Sequence, residues 1–185
     1  MNSFVVAMLL ALGATVISAK PSKEDLYKAL NTTDRIWTVR RSYERGAPNA
    51  KHSCVYAKKE DLSDDNYQFV QGFKNGSKWQ NETLYGKLSD QAGEAVLTVS
   101  KIPNPGEGNG VPYTLQYWEK ENHCGVLTFT GIKDRELKCE LHVWEQKLSP
   151  ATNWLRCELA YETICTNMHK FPVYTDDCLR EVVRN

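Results

Sequence analysis

Between residues 36 and 145 the apolar positions recur with a period of two, the repeat of strands, and not with the 3.6 of a helix. The segments 36-IWTVRRSY-43, 54-CVYAKKE-60, 67-YQFVQGF-73, 77-SKWQNETLYGKL-88, 95-AVLTVSKI-102, 111-VPYTLQYWEK-120, 125-GVLTFTG-131 and 138-KCELHVWE-145 are rich in β-branched and aromatic residues, which predicts about eight strands. Turn residues fill the gaps, as in Asn75-Gly76, Ser89-Asp90 and the glycine-rich 103-PNPGEGNG-110. Two segments break the pattern. In 22-SKEDLYKAL-30, Ser22 is a helix cap, Asp25 follows three residues on, and Leu26, Tyr27 and Leu30 form a narrow apolar side. Ser149-Pro150 predicts the start of a second helix, with serine as cap and proline at the first helical position. It would run to about Cys165 and carry Trp154, Cys157, Tyr161 and Ile164 at helical spacing. Successive strands with short connections argue for an all-β fold, an eight-stranded antiparallel barrel, since closure removes exposed edges. A short N-terminal helix and a C-terminal helix packed on the outside complete the expectation. A sandwich is the alternative that alternation does not exclude. A barrel of this size encloses room for about one small ligand.

The segment 138-KCELHVWE-145 indicates which side chains would meet that ligand. Alternation puts Cys139, Leu141 and Val143 on one face and Glu140, His142 and Trp144 on the other. The apolar face suits the outside, against the second helix, where Cys165 is within reach of Cys139. The carboxylate, imidazole and indole then line the interior. On the first strand, alternation counted back from Tyr43 places Arg41, Val39 and Trp37 inward. A register slip of one residue would exchange the two faces.

Residues 1–19, MNSFVVAMLLALGATVISA, have the apolar run and small residues of a secretory signal peptide, shorter than the ~20 residues a membrane span needs. The expected domain is therefore residues 20–185, exported and soluble. Export changes the meaning of the six cysteines, Cys54, Cys124, Cys139, Cys157, Cys165 and Cys178, from free thiols to three disulfides. Spacing alone does not choose among the connectivities. Asn31, Asn75 and Asn81 each open an N-x-S/T sequon, which suits a secreted glycoprotein. Lysine plus arginine and aspartate plus glutamate are balanced at 23 each, so there is no electrostatic case for nucleic acid or a membrane as partner.

The order of apolar leader, short helix, Trp37 on the first strand, eight-strand pattern, late helix and cysteine-bearing tail resembles the lipocalins of tick saliva, the histamine-binding protein family. The segment 138-KCELH-142 is similar to that family's motif, with Lys138 in place of an acid and His142 in place of tryptophan. The resemblance implies the pairs Cys54–Cys178, Cys124–Cys157 and Cys139–Cys165. It also implies that Glu140 holds a ligand ammonium while Tyr43 and Tyr113 sandwich its ring. Other positions depart from the amine-binding pattern. The chain reads 43-YERG-46 where those members carry an aspartate soon after the tyrosine, and it has Leu115 and Gly125 where they place the acids of a second amine site. One site is expected.

Three readings of the cavity follow. Glu140 awaits an ammonium, with Tyr43, Tyr113 and Trp144 offering cation–π contact; or Arg41 or protonated His142 neutralises Glu140 and the ligand is mostly apolar; or Arg41 faces the carboxylate of a fatty-acid-derived mediator. The resemblance implies sequestration of a host mediator, an amine such as histamine or serotonin, or alternatively a leukotriene, thromboxane or sterol. A different class of function is immunomodulation through the outer surface, with host immune cells as partners. Enzyme chemistry has little footing: every cysteine is expected in a bridge, and neither G-x-S-x-G nor HExxH occurs. No cofactor or metal is expected, and the chain is expected to be a monomer. Trp37, Trp79, Tyr85, Phe69 and Phe73 suit the core, and His52, His123 and His169 suit solvated loops.

Overall fold

The computed structural model describes residues 19–106, 108–148 and 154–182. The signal peptide expected over residues 1–19 lies outside them but for its last residue, and the helix start expected at Ser149-Pro150 lies wholly outside them. The strands are β1 (Arg35–Arg41), β2 (Gly46–Ala47), β3 (Ala50–Ser63), β4 (Asn66–Asn75), β5 (Lys78–Gln91), β6 (Glu94–Ser100), β7 (Val111–Glu119), β8 (Cys124–Thr130), β9 (Leu137–Trp144) and β10 (Phe171–Pro172). The helices are α1 (Lys23–Leu30), α2 (Leu155–Ile164) and α3 (Asp176–Val182), with a 3-10 turn at Glu145–Lys147.

The eight long strands pair antiparallel in the order β1-β9-β8-β7-β6-β5-β4-β3, and β1 pairs with β3 to close the barrel. At the closure Ile36 faces Ala57 and Trp37 faces Tyr56. The two-residue strands only extend this wall, β2 beside β3 and β10 beside β1. Neither strand follows from the sequence pattern, because two residues carry no measurable alternation, and α3 is a third helix beside the two expected.

α1 forms where expected, and its cap is reciprocal. The Asp25 amide donates to Ser22 Oγ at 3.1 Å, while the Ser22 amide donates to Asp25 Oδ2 at 2.8 Å. Its buried Leu26, Ala29 and Leu30 pack into one end of the barrel with Ile36, Phe69, Leu84, Leu97 and Trp144. A second cluster lies between the barrel wall and α2, where Cys139, Leu141 and Val143 meet Cys157, Tyr161 and Cys165. Arg40 reaches out to Glu158 and Glu162 on α2, each at 3.4 Å.

Three disulfides, Cys54–Cys178, Cys124–Cys157 and Cys139–Cys165, staple α2 and the C-terminal segment to the barrel. Two of the sequon asparagines are exposed: Asn31, which follows α1, and Asn81 on β5. Asn75 is partly buried at the β4–β5 turn.

Candidate functional site

The barrel encloses a cavity of about 550 Å³, within the ~300–1,000 Å³ range of small-molecule sites. Leu26, Ala29 and Leu30 of α1 close one end, and the walls beside them are apolar, with Ile36, Phe69, Leu84, Leu97, Leu115 and Leu127. Polar side chains gather elsewhere on the wall: Arg41, Tyr43, Glu140 and His142, with Arg45, His52 and Lys101.

β9 delivers its face as the alternation predicts, with Glu140, His142 and Trp144 lining the cavity. β1 does not. A bulge between Thr38 and Arg40 sets two residues of β1 against one step of β9, since Thr38 pairs with His142 and Arg40 with Leu141. The strict alternation counted back from Tyr43 therefore fails at Val39. Arg41 and Tyr43 line the cavity, but Ile36 and Thr38 do so in place of Trp37 and Val39. Trp37 is fully buried in the outer cluster, against Tyr56 at 5.0 Å and Tyr174 at 5.4 Å, and its indole donates to Glu145 Oε2 at 3.0 Å. The inward position that alternation gave Trp37, which would have made it a ligand contact, is corrected accordingly.

Glu140 is the centre of the polar wall. It is 8 % exposed, and both its oxygens are engaged: Tyr43 donates its hydroxyl to Oε1, and His142 Nε2 lies 2.7 Å from Oε2. Burial pushes the carboxyl up, but the hydrogen bond and charge of His142, the Tyr43 hydroxyl and the Arg41 charge outweigh it and hold Glu140 below the ordinary glutamate value. Burial first, and then the Glu140 charge, pushes the hydroxyls of Tyr43 and Tyr113 up, so both remain donors. Phe129 links the two rings, 5.5 Å from Tyr43 and 4.5 Å from Tyr113.

Arg41 is 4 % exposed and donates from Nη2 to the His52 carbonyl at 2.9 Å, while its buried Nε has no partner. Its guanidinium stands 5.1 Å from the centre of the Tyr43 ring. His52, expected in a solvated loop, lies instead on the cavity wall, stacked on Phe73 at 4.4 Å. Burial, reinforced by Arg45 and Arg41, pushes its imidazole down. Phe69 and Phe73, expected as core, also line the cavity.

The model of the tick histamine binding protein family matches residues 18–180. The chain belongs to the tick histamine-binding protein family. Among solved structures it is similar to AM182 in complex with serotonin, at 16% identity and a TM-score of 0.59, over 83% of this chain and 91% of that one. It is also similar to japanin from Rhipicephalus appendiculatus bound to cholesterol, at 13% identity and a TM-score of 0.53, over 80% of this chain and 97% of that one. H1 crustacyanin from the lobster Homarus americanus matches at 11% identity and a TM-score of 0.54, over 90% of this chain and 92% of that one. No curated protein matches by sequence. These structural likenesses place this family member in the lipocalin fold, a closed eight-stranded antiparallel barrel with outer helices.

Proposed function

We propose that the protein is secreted in saliva and binds and sequesters one small host mediator in the barrel cavity, thereby suppressing host inflammation and immunity. The observation that carries this reading is the wall around Glu140: a buried ionised carboxylate facing a cavity whose other walls are largely apolar. A barrel needed only for its own stability would fill its interior, because close packing is worth more than a void and buried charge is costly. In the amine form of the proposal, histamine or serotonin places its ammonium on Glu140 and its ring beside Tyr43, Tyr113 and Phe129. The carboxylate has lone pairs beyond the two that Tyr43 and His142 occupy, so a third donor is accommodated.

A second form, in which the ligand is a lipid mediator or sterol, is favoured by the apolar length of the cavity down to Leu26 and Leu30. Serotonin in AM182 and cholesterol in japanin show that barrels of this kind accept both chemistries. Calorimetric titration of the delipidated mature protein with histamine, serotonin and cholesterol tests the proposal. One site per chain for any of them is expected to fall in the Glu140→Gln variant if the ligand is an amine, and to be little changed if it is a sterol. No binding by the wild type to amines, sterols or eicosanoids would sink the sequestration reading in favour of action through the outer surface.

A further inference from the structure

The even overall count of acids and bases conceals a division along the barrel axis. Antiparallel pairing puts alternate connections at the same end, and α1 occupies one of the two ends. There the turns 60–66, 87–94 and 119–123 hold eight acids and two lysines, while α1 itself is balanced. At the open end the segments 42–51, 74–78, 101–110 and 131–138 hold eight lysines and arginines and four acids. The open end also carries apolar side chains in water. Of the five large apolar side chains that stand exposed among the described residues, Ile102, Ile132 and Leu137 belong to it. Ile132, in the β8–β9 loop, is 72 % exposed, and with Ile102 it sits at the mouth of the cavity. Cations flank both. Lys101 precedes Ile102 and is paired with Glu82. Lys133 and Arg135 follow Ile132, exposed and without an ion pair among the described residues, since Asp134 between them is taken by Lys138. A single exposed isoleucine is ordinary on a folded protein. Apolar tips interleaved with basic residues at one end of a molecule are the make-up of an interfacial membrane contact.

We infer that the open end of the barrel is a docking surface for an anionic lipid bilayer, with Ile102 and Ile132 entering the head-group layer and Lys133 and Arg135 meeting its negative charge. The inference goes beyond ligand sequestration and does not depend on it, because the residues it needs stand exposed on the rim. The shape of this end favours a bilayer over a protein partner. A stable protein interface needs a closely packed patch of about 1,000 Å² or more. These side chains stand instead on separate loops around an opening, so a rigid partner would bridge a void, whereas a fluid head-group layer conforms to each tip. The uneven charge also sets the orientation, since the acid-rich turns beside α1 are repelled by the same surface that attracts the rim. Docked in this way, the mouth of the cavity faces the lipid.

The test is flotation of the mature protein with vesicles of phosphatidylcholine alone and of an equimolar mixture with phosphatidylserine. Wild type is expected to bind the mixed vesicles about tenfold or more tightly than the neutral ones, since each basic residue near an anionic surface contributes about fivefold. That preference should fade at high salt. Lys133→Gln with Arg135→Gln should weaken binding to the mixed vesicles about tenfold or more, and Ile102→Ser with Ile132→Ser about tenfold. Lys87→Gln with Lys120→Gln, in the turns at the other end, should leave it unchanged. All six positions are exposed, so the substitutions spare the core. Equal binding to the two kinds of vesicle, or binding to neither, overturns the docking surface without recourse to any variant. An equal loss from the two glutamine pairs also overturns it, because adsorption would then have no orientation. Binding to the mixed vesicles that ignores the isoleucine substitutions, and is matched by binding to soluble heparin, overturns it in favour of a polyanionic partner. Ligand titration is a separate measurement, so failure here leaves the sequestration reading standing.

Discussion

Replacing Trp144 by phenylalanine should loosen the floor of the cavity before it weakens the barrel. The last carbonyls of a helix lack intrahelical donors, and Ala29 in the final turn of α1 is one such residue. Its oxygen accepts a hydrogen bond from Trp144 Nε1 at 3.1 Å in a buried setting. Phenylalanine keeps an aromatic ring beside Trp118, which now lies 4.8 Å from Trp144, but it leaves that carbonyl buried without a donor. Such a loss costs about 1–3 kcal/mol, and in a domain of this size that lowers the melting temperature by roughly 2–10 °C. The location of the effect is the sharper prediction. α1 has eight residues, too few to be stable alone, and is held by its docked face, by the ion pair of Lys23 with Asp65 at 2.6 Å and by this indole. Amide hydrogen exchange by mass spectrometry should therefore show residues 23–30 exchanging about tenfold to a hundredfold faster in the variant, with the paired strands β4, β5 and β6 much less affected. If α1 keeps its wild-type protection in Trp144→Phe, the indole does not seat the helix and the account of the floor is wrong.

Glu140→Gln should cost about 1–3 kcal/mol at neutral pH, because His142 and Tyr43 lose an ionised acceptor. The folded Glu140 carboxyl lies below its ordinary value of 4.5, so its contribution is complete above that value and is lost as pH falls through the depressed folded value. The gap between wild type and variant in urea denaturation should accordingly shrink as the pH is lowered past the ordinary glutamate value of 4.5, and a constant gap would refute the linkage. By chain entropy, removing Cys54–Cys178, whose partners are 124 residues apart, should cost about 5 kcal/mol. Removing Cys139–Cys165, 26 apart, should cost about 3–4 kcal/mol, an order that thermal melts of the paired serine variants would check. Gly72→Ala would set a Cβ 2.2 Å from the Tyr56 ring, which Trp37 and Trp79 hold from other sides, so a loss of about 1–3 kcal/mol is expected from equilibrium unfolding.

The strand pattern and the first helix were legible in the sequence because each rests on a local rule: alternation over seven or more residues, and a serine with an acid three positions on. The inward face of β9 was legible for the same reason, since nothing interrupts its ladder with β1 from Glu140 to Leu141 or with β8 from Leu137 to Val143. The cavity roles of His52, Phe69 and Phe73 were not. Each depends on which side of β3 and β4 remains unfilled, and that is set by the volume enclosed after closure, to which no single segment testifies. Nor was the double duty of Trp144, which lines the cavity and donates to α1, because its acceptor lies 115 positions away.

The misplacement of Trp37 carries a further lesson about how the polar wall is built. An uninterrupted β1 with Arg41 and Tyr43 inward would also turn Val39 and Trp37 inward, filling the barrel and stripping the outer cluster of the ring that packs on Tyr56 and Tyr174. An uninterrupted β1 with Ile36 and Thr38 inward would turn Arg41 and Tyr43 out, away from Glu140. The bulge at Val39 resolves this conflict. On one side of it the strand serves the disulfide-bearing outer cluster through Trp37, while on the other it brings Arg41 into cross-strand register with Glu140. Both Val39 and Arg40 are spent outward at the bulge, Val39 in the buried outer cluster and Arg40 on the acids of α2. Deleting Val39 would restore simple pairing across β1 and β9 at the expense of one of the two faces. The expected result is a protein that either folds with its ligand affinity abolished or loses the packing under α2, and a deletion variant that retained both full stability and binding would show that the bulge does not build the site.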